Sequence, residues 1–100
     1  MIKVAYVTKE AKFVSLLVEG HAEYAKKGED LVCAGVSAIA IGGLNSLAAP
    51  DDFDIEVNDA HVSVKAKKNI SKHDEIVLET ILTQVETIAD SYPKFVEVKK

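Results

Sequence analysis

The sequence predicts a two-layer α/β (α+β) sandwich, a mixed and mainly antiparallel sheet with two long helices in the order ββαββαβ. Three observations predict it. Apolar residues alternate through 2–8, 12–20, 53–57 and 61–66; an unbroken apolar run follows Asp30; and a 3.6-period apolar stripe runs from Leu78 to Tyr92. One hundred residues suit one domain, 1–100, and an apolar share of 48% supports one core.

The elements follow in order. Ile2, Val4, Tyr6 and Thr8 share one face of a first strand, and Lys9-Glu10-Ala11 makes a short turn. In strand 12–20, strict alternation puts Phe13, Ser15, Leu17 and Glu19 on one face and Val14, Leu16 and Val18 on the other. The strand ends at Gly20-His21, and 22–29 reads as a loop or a loose helical turn ending at Gly28. Asp30 stands at an N-cap position before Leu31–Ile41, a run read as a central buried helix that ends before Pro50. Its small residues let a strand or a second helix approach closely.

Asp51-Asp52 is a polar turn. Residues 53–57 and 61–66 form a hairpin around Asn58-Asp59-Ala60. Ser71, with Asp74 and Glu75 behind it, starts the second helix. Leu78, Ile81, Leu82, Val85, Ile88, Ala89 and Tyr92 face the core, Glu79, Thr83, Glu86 and Asp90 face water, and Pro93 stops the helix. A last strand spans 94–98, with Val96 and Val98 inward.

Composition narrows function. The net charge is −4, and all twelve basic residues are lysines. A nucleic-acid binder generally carries a basic patch with arginine, so no direct nucleic-acid contact is expected. Lys65-Ala66-Lys67-Lys68 reads as a solvated strand end. No apolar run is long enough to span a bilayer, and the N-terminus reads as a strand rather than a signal peptide, so the expectation is a cytoplasmic protein without membrane contact. With one cysteine and three scattered histidines, no metal-ligand spacing appears, and neither G-x-G-x-x-G nor G-x-x-x-x-G-K is present. No cofactor is expected.

The residues with chemistry are few. Cys33 falls three residues after Asp30, at a helix N-terminus where free N–H groups and the dipole favour an anion. Those N–H groups could equally serve an oxyanion, or be taken by Asp30. His21 leaves a strand after a glycine, and the 22–29 loop can fold it back over that helix end. His61 and His73 read as solvated surface histidines. From these residues alone two readings stand: Cys33 as a small packed hydrophobe, or Cys33 and His21 as nucleophile and base.

Gly20-His21-Ala22, Ala25, Gly28, Asp30, Val32-Cys33-Ala34 and Val36-Ser37-Ala38 resemble, in type and mutual spacing, the signature of the ribosomal-processing cysteine peptidases, the Prp family. The likeness extends over most of the chain. It implies His21 as catalytic base and Cys33 as nucleophile, with Gly20, Asp30 and Ser37 in supporting positions. It implies a cysteine endopeptidase that removes a short Phe-rich N-terminal extension from a large-subunit ribosomal protein precursor, needed for ribosome assembly. A homodimer and a mobile loop over the site are implied as well. Asp30 is the leading candidate for a third member by resemblance, while capping accounts for it more simply. Ser37, one turn after Cys33, would either bond back to the Cys33 carbonyl or steady the site. The competing functions are a non-catalytic ribosome-biogenesis or protein-binding module, a thiol redox protein lacking its resolving cysteine, and an RNA-binding α/β domain.

Overall fold

Two hairpins supply four of the five strands. A computed structural model describes all 100 residues, Met1–Lys100. The strands are β1 (Ile2–Lys9), β2 (Lys12–Glu19), β3 (Phe53–Asn58), β4 (His61–Ala66) and β5 (Val96–Lys99), and the helices are α1 (Leu31–Leu44) and α2 (Lys72–Ser91). A single 3₁₀ turn, Pro50–Asp52, precedes β3. The order is the predicted ββαββαβ. The sheet runs β3-β4-β2-β1-β5, with only the β1–β5 pair parallel.

The register explains the core. Val98, Val4, Val18, Val62 and Val57 form one row across the sheet, and Tyr6, Leu16, Val64 and Ile55 form the next. These rows share a face because cross-strand partners point the same way. Val4, Leu16, Val18, Val62 and Val64 join Val32, Val36, Leu78, Ile81 and Val85 in one buried cluster. Five strands span about 19 Å between outer axes at about 4.8 Å each. Two helices of about 10 Å diameter just match that width, and α2 lies against β5 at one edge, which leaves the opposite edge bare. That edge is β3, where Val57 stays 47% exposed although Val4, Val18 and Val62 of its row are buried.

Strict alternation in 12–20 is corrected by a bulge. Val7 pairs with Ser15 but Thr8 pairs with Phe13, so Val14 is the extra residue. Phe13 therefore turns to the core face with Leu16 and Val18. It meets Tyr6 edge-on at 5.5 Å and Phe53 at 6.2 Å between centroids.

The buried central helix is also corrected. Only Val32, Val36, Ala40 and Leu44 of α1 are buried, one face at i, i+4 spacing. Leu31 is 74% exposed and Ile41 40%. Continuous hydrophobicity reads as burial on all sides, yet α1 has only the sheet and α2 as neighbours. The predicted close approach does occur, because a side chain at Gly43 would overlap Ile81 of α2. The last strand starts at Val96, not 94, since Phe95 and Val96 N–H both donate to the Tyr92 carbonyl in a turn. Tyr92 is not on the core stripe: it caps α2 and is exposed.

Asp74, expected as a first-turn acid facing the dipole, is fully buried. It accepts from Ala48 N–H at 2.7 Å and Ala49 N–H at 3.0 Å, and lies 2.9 Å from His73 Nδ1. It thereby ties the segment after α1 to the start of α2. The His73 ring itself is solvated, as expected. Lys67 and Lys68 of the basic cluster pair with Asp54 and Asp52.

Candidate active site

The β2 strand ends where α1 begins. Gly20 N–H donates to the Ala60 carbonyl at 2.9 Å, and Gly20 then turns the chain at φ +99°. A side chain at that position would overlap the Met1 carbonyl, so the turn needs glycine. The next residue, His21, is exposed, and Ala22 is buried. Ala22 N–H donates to Cys33 Sγ at 3.2 Å. This N–H fixes the position of the sulfur relative to the exit of β2.

Asp30 fastens this junction with both oxygens. Oδ1 accepts from Val32 and Cys33 N–H, each at 3.0 Å. Oδ2 accepts from Tyr24 N–H at 3.0 Å and Ala25 N–H at 3.4 Å. Desolvation pushes the Asp30 carboxyl up, but hydrogen bonds from the Cys33, Ala25 and Tyr24 backbone, then from the Cys33 side chain, hold it below the ordinary carboxylate value. Competition for the helix N–H groups is thus resolved: Asp30 takes those of Val32 and Cys33. Its partners are four backbone N–H groups and the Cys33 side chain, not the His21 ring, so it is a cap and a loop clamp rather than a third member oriented on imidazole.

All five residues singled out in the sequence line one cavity of about 590 Å³: Gly20, His21, Asp30, Cys33 and Ser37. Val18 and Val62 contribute from the sheet, Ala34, Val36, Ala40 and Ile41 from α1, and 58–61 from the β3–β4 turn. Cys33 is partly buried and free. Ser37 is exposed to this space. Its hydroxyl does not bond back to the Cys33 carbonyl, whereas Thr80, Thr83 and Thr87 of α2 all make the equivalent bond. Of its two expected roles the back-bond is therefore absent.

Two features escaped the sequence. His61, read as a surface residue, borders the same cavity, with Nδ1 3.6 Å from Glu19 Oε2 and Nε2 4.0 Å from Glu56 Oε1. The signal that would have found it is the Glu19–His61 pairing, which brings β4 to the exit of β2. The Ala22 amide was invisible because backbone donors carry no residue signature.

A family model described as "Cysteine protease Prp" matches residues 1–97. The chain belongs to the Prp family of cysteine proteases. A Prp from Mycoplasma pneumoniae, named ribosomal processing cysteine protease, is 36% identical over 86 residues, covering 81% of each chain. A Staphylococcus aureus Prp is 28% identical over 90 residues, 86% of this chain and 85% of that one. The crystal structure of an S. aureus Prp, described as an essential ribosomal processing protease in complex with a covalently linked product peptide, superposes with a TM-score of 0.88. That match has 28% identity and covers 99% of this chain and 98% of the other. The Prp match spans the whole ββαββαβ fold, both helices included.

Proposed function

We propose that this protease cleaves an N-terminal extension from a ribosomal protein precursor, with Cys33 as nucleophile and His21 as base and acid. One observation carries it: His21 and Cys33 border one cavity, with the Ala22 N–H on the sulfur between them in sequence. The chain has one cysteine, so a cysteine protease built on it has one candidate nucleophile. The ribosomal substrate is inferred from the relatives, whose names describe ribosomal processing.

The chemistry is as follows. The His21 imidazole takes the thiol proton, and the Cys33 sulfur attacks the peptide carbonyl carbon. The carbonyl π electrons move to oxygen. Because Asp30 occupies the Val32 and Cys33 N–H groups, the donor beside the new oxyanion is Ala22 N–H, released as the sulfur becomes a thioether. On collapse the C–N bond breaks and protonated His21 gives its proton to the leaving amine. Water, deprotonated by His21, then hydrolyses the thioester and frees Cys33. Ser37 borders the same space and supports the site without covalent chemistry.

The cavity suits an extended peptide with apolar side chains. Its floor, Val18 and Val62, continues in the same row to exposed Val57 on the edge strand. A homodimer is part of the same reading. The α1 helix carries no charged side chain and presents Leu31 and Ala38 outward, apolar surface that a second copy would cover. A sedimentation mass of one chain at micromolar concentration counts against it. A cytoplasmic setting fits a lone reduced thiol.

The test mixes the purified chain with the extended ribosomal precursor and reads product masses. A single cut, absent with Cys33→Ala, is the expected result. A Cys33 inert to iodoacetamide near neutral pH would favour the binding-module reading, and a stable mixed disulfide without peptide hydrolysis the redox reading.

A further inference from the structure

The loop 22–29 has no helix or strand, yet it must hold the Ala22 N–H against the Cys33 sulfur. Between that amide and the one that Tyr24 donates to Asp30 lies Glu23, a non-glycine residue at φ +60°. Such a backbone persists only where its neighbours over-determine it. Ala22 is fixed by burial on one side. On the other side stands Tyr24, whose ring meets Tyr92 at 5.4 Å and Phe95 at 5.2 Å, edge-to-face at 82° and 84°.

The receiving rings are rigidly mounted. Tyr92 N–H closes α2 onto the Ile88 carbonyl, the Tyr92 carbonyl accepts from Phe95 and Val96, and the Phe95 carbonyl accepts from Ile2. Tyr24, Tyr92 and Phe95 are absent from the cavity wall, while Glu23 and Ala25 line it. The loop thus turns Tyr24 away from the cavity and its two neighbours toward it.

We propose that Tyr24 is a positioning residue for the reaction: its ring, docked between Tyr92 and Phe95, latches the loop so that the Ala22 N–H stays on the Cys33 sulfur. The proposal rests on Cys33 being the nucleophile. Asp30 holds the Tyr24 and Ala25 amides from the helix side, and the aromatic latch holds the same stretch from the α2–β5 corner. Freed from the latch, Glu23 relaxes out of the left-handed region and carries Ala22 with it. Tyr24 and Tyr92 lie outside the buried cluster and Phe95 packs against its edge, so truncating Tyr24 or Tyr92 spares the core.

The experiment alkylates the full chain with iodoacetamide at neutral pH and at strongly alkaline pH, where the thiol is ionised without help. The ratio of the two rates reports the Ala22 N–H contact on the sulfur and cancels any change in exposure. Tyr24→Ala should lower this ratio about tenfold, the scale of one lost charge-assisted hydrogen bond. Tyr92→Ala should do the same in part. Tyr24→Phe should restore the wild-type ratio because the contact is made by ring faces and edges. Thermal midpoints should stay near wild type, and Ile76→Ala, an exposed apolar residue on α2, should leave the ratio unchanged. An unchanged ratio in Tyr24→Ala, with Cys33→Ala still inactive on the precursor, overturns the latch alone. Cleavage by Cys33→Ala overturns both the latch and the reading beneath it.

Discussion

At the scale of single residues, the proposed chemistry concentrates in two side chains and one amide. His21 is the one histidine that leaves a strand beside the sulfur. His61 shares the cavity but faces Glu19 and Glu56, and His73 faces buried Asp74. His21→Ala should therefore cut kcat by about 10²-fold or more, the scale of general acid–base catalysis, with peptide affinity retained. His61→Ala and His73→Ala should leave kcat near wild type. Steady-state kinetics on the three variants checks this, and a His61 variant as dead as the His21 variant would reassign the base. Asp30→Ala should slow cleavage through two losses at once, the cap on α1 and the clamp on Tyr24 and Ala25. That Gly20, His21, Asp30, Cys33 and Ser37 border one cavity was legible because a matched motif fixes side-chain types at fixed spacings. What Asp30 does was not, since its four bonds depend on where the loop returns in space.

At the scale of elements, two features invite measurement. The β1–β2 turn places Glu10 and Ala11 at φ +53° and +64°, a pair of left-handed residues that Asn-Gly would adopt without cost. Glu10→Asn with Ala11→Gly should stabilise the chain by about 1 kcal/mol, read from urea midpoints at unchanged slope. The second feature is Asp74, which joins the segment after α1 to α2. Burial pushes its carboxyl up, but the bonds from Ala48, His73 and Ala49 hold it below the ordinary value. A depressed folded-state value means that its stabilisation is complete above the unfolded value and is lost as pH falls through the folded one. Asp74→Asn should cost about 2 kcal/mol at neutral pH and flatten the acid limb of stability below about pH 4. An acid limb as steep as wild type would remove Asp74 from that role. Strand alternation, both helix starts and the turn positions were readable from period and capping residues. The Val14 bulge was not, because its cause is the pairing with β1 rather than anything in 12–19. The half-open state of α1 was hidden too, since an all-apolar helix reads as surrounded whatever the number of its neighbours.

At the scale of the whole molecule, the helices leave the β3 edge of the sheet open, and Val57 on that edge pairs with Val62 of the cavity wall. Val57→Asp, which puts a charge at the end of the Val18–Val62 floor, should raise KM for an apolar peptide by about tenfold and change kcat little, with the fold intact. An unchanged KM would mean that the peptide leaves the cavity by another side. The mass of the product tests most directly whether Cys33 at the β2–α1 junction cleaves the precursor. Incubated with the extended ribosomal precursor, the wild-type chain should yield two fragments whose masses sum to precursor plus one water, and Cys33→Ala, folded by circular dichroism, should yield none. Fragments of the same masses from Cys33→Ala would contradict it.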